Sequence, residues 1–101
     1  MYYIIADGKL TVHADIDRTK QLFELDSPST DGAQQALDEH VAALATESQS
    51  WVVLHQSKRT RMGHWETHDT LEGARRSAVA LHPARGEGVI YGPDGYRHAN
   101  R

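Results

Sequence analysis

The chain has no cysteine, which excludes disulfides, thiolate metal sites and a cysteine nucleophile and suits a reducing cytoplasm. It also has no long apolar run: nothing approaches the roughly 20 residues needed to span a bilayer. Met1-Tyr2-Tyr3-Ile4-Ile5-Ala6-Asp7 offers neither a basic stretch nor a sustained apolar one, so it does not read as a secretory signal. Linkers and low-complexity segments are missing too, while apolar clusters recur throughout its 101 residues. Those features predict one domain over residues 1–101, cytoplasmic and outside the membrane.

What the sequence does have is charge, spread unevenly. Residues 1–50 carry three lysines or arginines against nine acids, a net of −6; residues 51–101 carry eight against five, a net of +3. Such asymmetry marks a partner-facing surface, or else cancels where the halves interleave in one fold.

Hydrophobic patterning predicts the elements. Tyr2 to Ala6 is an aromatic and β-branched run ending at Asp7-Gly8, a hairpin turn signal. Leu10, Val12 and Ala14 alternate with polar residues as a half-buried second strand, and Leu22 to Leu25 suggests a short third. Ser27-Pro28-Ser29-Thr30-Asp31 is helix-entry chemistry, followed by Ala33, Leu37, Val41 and Leu44 on one helical face. Trp51 to His55 and Gly63 to Thr67 read as a second strand pair around a basic turn at Lys58–Met62. Asp69 with Glu72 resembles a capping box opening a second helix, with Leu71, Ala74, Ala78 and Leu81 as its inner stripe and Pro83 as its stop. Gly88 to Tyr91 is a strand, turned by Gly92-Pro93-Asp94-Gly95 toward Tyr96–His98.

The order ββ(β)-α-ββ-α-β(β) predicts an α+β, two-layer domain. Its mainly antiparallel sheet has about five to seven strands, and two amphipathic helices pack on one face. The last strand pair echoes the first, as an internal pseudo-repeat would.

Seven histidines raise a metal hypothesis, sharpest at His64-Trp65-Glu66-Thr67-His68. Strand alternation puts His64, Glu66 and His68 on one face. At a rise of ~3.3 Å per residue, however, the two histidine Cα atoms stand ~13 Å apart. One ion with bonds of ~2.0–2.1 Å cannot collect all three without a bend, so a solvated strand face is the expectation and no metal or cofactor is assigned. His82 sits where the second helix dipole ends, while His13, His55 and His98 fall on strands with no evident acid and nucleophile beside them. GxSxG, GxxxxGK[ST] and GxGxxG patterns are absent, which points away from an enzyme.

Lys58, Arg59 and Arg61, with Trp65 nearby, form the best nucleic-acid signal: cations for phosphates and a ring for stacking. A sequence pI near 6.1 argues against a dedicated nucleic-acid module. Tyr2, Tyr3 and Trp65 supply aromatic anchors for an exposed sheet face. The leading expectation is therefore a non-enzymatic interaction protein that binds a protein partner, or a second copy of itself, through that face and the basic hairpin. In size and general character the chain resembles small accessory proteins of bacteriophages and mobile elements, including inhibitors of host systems. No motif carries that resemblance. Two alternatives stand beside it: a nucleic-acid-binding module using Lys58 to Arg61, and a metal-dependent protein using His64, Glu66 and other ligands.

Overall fold

Alternating apolar residues in the first thirteen positions make a hairpin, β1 (Tyr2–Ala6) and β2 (Lys9–His13), closed by Asp7 and Gly8 with φ of 53° and 75°. A computed structural model describes residues 1–14, 21–27, 29–56, 62–80 and 87–98. Then come β3 (Gln21–Asp26), α1 (Thr30–Ser48), β4 (Trp51–Gln56), β5 (Met62–His68), α2 (Leu71–Ala80), β6 (Glu87–Tyr91) and β7 (Arg97–His98). All seven strands join one antiparallel sheet in the order β3-β2-β1-β5-β4-β6-β7. The α+β class, strand number and element order expected from the sequence are those observed. The basic turn at Lys58–Arg61 and the Leu81–Arg85 segment lie outside the described residues.

The helices differ from expectation in placement: they cover opposite faces of the sheet. Ala33, Leu37, Val41 and Ala45 of α1 pack on Tyr3, Ile5, Leu10, Val12, Val52, Leu54, Trp65 and Tyr91. Ala74 and Ala78 of α2 pack on Val53 and Ile90, whose side chains leave the other side. Connection handedness explains this. From the antiparallel pairings, β3 runs parallel to β4 and β5 runs parallel to β6, so α1 and α2 are both crossovers between parallel strands. Both move the chain in the same direction across the sheet, but from strands of opposite polarity. Two crossovers of one hand must then pass over opposite faces.

Caps fix where the helices begin. The Ser29 hydroxyl accepts from the Gly32 amide at 3.0 Å, and Gln49 closes α1 in a left-handed conformation at φ 54°. The start of α2 departs from the expected capping box: Thr70 is the cap, its Oγ1 accepting from the Gly73 amide at 3.1 Å, while Glu72 pairs with Arg76 at 3.2 Å. Neither described helix is long and apolar enough to cross a membrane.

Polar groups at the margin of the α1 core are stitched together. The Tyr3 hydroxyl reaches the His55 carbonyl at 3.2 Å and Gln56 Oε1 at 3.1 Å. Gln56 and Gln34 exchange hydrogen bonds at 2.6 and 2.9 Å, and Gln34 donates to Asp38 at 3.3 Å. Burial raises the Asp38 carboxyl pKa above its ordinary value, opposed by hydrogen bonds from Gln34 and Tyr91 and by the charge of Arg97.

Candidate metal centre

The functional candidate grows from the register of β4 against β5. Their ladder sets Trp51 opposite His68, Val53 opposite Glu66 and His55 opposite His64. All six residues face the α2 side of the sheet, because alternation sends Val52, Leu54 and Trp65 to the α1 side. Directly opposed residues stand within ~5.5 Å at Cβ, closer than residues two apart along one strand. Histidines and a carboxylate thus gather by strand pairing where sequence spacing alone kept them apart.

Glu66 is the hub. Its Oε1 receives His68 Nε2 at 3.1 Å and His55 Nε2 at 3.3 Å, and it also accepts a hydrogen bond from the Ser77 hydroxyl of α2. Partial burial would raise the pKa of Glu66, but the hydrogen bonds from Ser77, His68 and His55 outweigh that and hold it at about 2. A carboxylate held in its ionised form at neutral pH therefore sits among imidazoles, its side chain 36% exposed. Burial, together with the neighbouring His55, lowers the pKa of His64 and keeps its ring neutral, the form that ligates metals.

Close approach of α2 completes the arrangement. Gly88 of β6 lies opposite His55, and a Cβ there would come within 2.6 Å of the Ala78 Cα. Without that bulk, α2 settles onto the sheet and Ser77 reaches Glu66.

One nitrogen each from His55 and His64 and one oxygen from Glu66 lie within 4.8 Å of one another. Two donors on one tetrahedral ion, each at ~2.0–2.1 Å, stand ~3.4 Å apart, so His55 and Glu66 already hold that spacing at 3.3 Å. His64 stacks on His55 with ring centroids 4.8 Å apart, which sets its donor nitrogen beside the other two ligand atoms. Two imidazoles and a carboxylate suit zinc and its neighbours in the transition series, and leave a fourth position for water or a ligand. A serine-protease-like relay is a poorer fit, because Ser77 Oγ and Glu66 meet the same His55 nitrogen, at 3.5 Å for the serine, where a relay needs the two ring nitrogens separately.

The structure brings together two of the three metal candidates offered by the sequence, His64 and Glu66. His68 holds the carboxylate from outside the three-donor cluster. His55, the donor that sequence spacing missed, is found only through register. Ser77 likewise carries no sequence signal. Of the suggested partner anchors, Trp65 and Tyr3 belong to the α1 core, where Trp65 also meets the His40 ring at a centroid distance of 5.6 Å. Their rings therefore offer no exposed surface. Tyr2 is half-buried beside His64, with ring centroids 5.7 Å apart. Lys58, Arg59 and Arg61 lie outside the described residues. Compared with known proteins, the chain matches no family model, no curated protein and no solved structure.

Proposed function

We propose that this domain binds one divalent transition-metal ion of the zinc class through His55, His64 and Glu66, with His68 and Ser77 orienting the carboxylate. The convergence of the three donor atoms within 4.8 Å carries this reading. An entering ion displaces the proton shared between His55 and Glu66, so binding releases protons and weakens as pH falls. The test is calorimetric titration of untagged, chelator-treated protein with zinc, alongside a His55→Phe/His64→Phe double variant whose fold is checked by circular dichroism. One ion per chain, with binding lost in the variant, is the expected result. Wild-type protein that takes up no zinc, or a folded variant that binds as tightly, ends the proposal.

A second reading keeps the domain as an interaction protein. Strand β3 pairs only with β2 among the described residues and leaves Leu22 and Leu25 at 46% and 41% exposure on the sheet edge. Such an edge supports pairing with an extended segment of a protein partner, a second copy included. Light scattering over a concentration series, repeated with Leu22→Lys, tests the self-pairing form. A monomer at every concentration removes it.

A further inference from the structure

Three ligands leave a tetrahedral ion one position short, and α2 brings an oxygen to that place. Gly73 and Ser77 stand one turn apart on the same face of the helix. Both lie over β5: a Cβ on Gly73 would come within 3.6 Å of His68 Nδ1, and the Ser77 hydroxyl donates to Glu66 Oε1. Ser77 Oγ also stands 3.5 Å from His55 Nε2. It is therefore beside two of the three proposed ligand atoms. Its distance from the imidazole nitrogen is close to that of two donors on one tetrahedral ion, ~3.4 Å for bonds of ~2.0–2.1 Å. His68 touches Glu66 as well, at 3.1 Å, but from outside the cluster of donors that lie within 4.8 Å of one another.

We infer that Ser77 Oγ is the fourth ligand of the ion, so that the centre clamps α2 onto the β4–β5 pair. This rests on the proposed binding of a zinc-class ion by His55, His64 and Glu66. A hydroxyl offers the ion what water offers, a neutral oxygen lone pair, and one carried on a packed helix spares the immobilisation of a solvent molecule. Lone-pair counting favours the exchange. In the metal-free chain one oxygen of Glu66 accepts from Ser77, His68 and His55, so an ion at that oxygen competes with these donors. His55 then turns its nitrogen to the ion, Ser77 turns its oxygen, and the two oxygens part to admit it. Four protein ligands make a closed site of the structural kind, whereas a catalytic zinc keeps one place for water.

Lost affinity in Ser77→Ala would not decide the matter, because a residue that only orients Glu66 also weakens binding. Cobalt(II) is the first probe, since its spectrum reports its ligands. Chelator-treated wild type and Ser77→Cys, both checked for fold by circular dichroism, are titrated with it, and visible d–d absorption records binding. Ser77→Cys is expected to add a thiolate-to-cobalt charge-transfer band in the near ultraviolet, with one sulfur per ion. Hydrogen exchange is the second readout. Opening α2 would cost the ion one ligand, so saturating zinc should slow exchange of the α2 amides by on the order of tenfold in wild type. In zinc-saturated Ser77→Ala it should leave them unchanged. Cobalt bound by Ser77→Cys without the band, or wild-type α2 exchange unmoved by bound zinc, overturns the inference and leaves the three-ligand centre standing. Wild type that takes up neither ion ends both. Exchange in wild type decides even where the cysteine variant fails to fold.

Discussion

His55 and His64 face each other across the β4–β5 ladder, ring planes 28° from parallel and centroids 4.8 Å apart. The two imidazoles lie face to face, and an ion at their edges would lock both rings in place. The two residues are nine apart in sequence, on neighbouring antiparallel strands. Everything that makes the cluster a metal candidate depends on that register.

If register rather than strand spacing builds the centre, the histidines must differ in weight. His55→Phe removes a donor and is expected to weaken zinc binding by more than 100-fold. His68→Phe removes a group that only orients Glu66, and outer partners of this kind cost about 10-fold. Calorimetry on both variants checks the order; equal losses would place His68 among the ligands.

Gly88 makes a separate claim about how α2 is seated. A methyl group there meets backbone, with the Ala78 Cα at 2.6 Å, so no flexible side chain can yield. Gly88→Ala should therefore cost ~1–3 kcal/mol through overpacking. For a domain of this size that lowers the melting temperature by roughly 4–8 °C per kcal/mol. Calorimetric melting measures it, and an unchanged transition would show that α2 is not held at this distance.

The extent to which these features were legible in the sequence follows from the range of the forces involved. Alternation and helical periodicity are local, so β1, β2, α1 and the inner faces of both helices are read directly from apolar spacing. Strand pairing and the sheet face chosen by α2 are not local. The continuous run Trp51-Val52-Val53-Leu54 did carry the missing hint, since a strand apolar on consecutive positions is one buried on both faces. Val52 and Leu54 serve α1 while Val53 serves α2. His55 was invisible as a ligand for the same reason: its partners are His64 across the ladder, Glu66 diagonally and Ser77 on a helix whose face was misplaced. Thr70 displaced Asp69 as the cap by one residue, a choice between two good capping side chains that composition does not decide.

Alkaline titration reads the α1 side of the sheet. Burial, and then the negative charge of Asp38, raises the Tyr91 phenol from its ordinary 10 to about 12. Its folded pKa exceeds the unfolded value, so native protein holds this proton more tightly. The associated stability is complete below pH 10 and is lost as pH rises from 10 to 12. Absorbance at 295 nm should show a late phenolate step that disappears in Tyr91→Phe. The wild-type denaturation midpoint should fall across that window more than the variant's. Tyrosines ionising together near pH 10 in folded protein would contradict the burial of Tyr91.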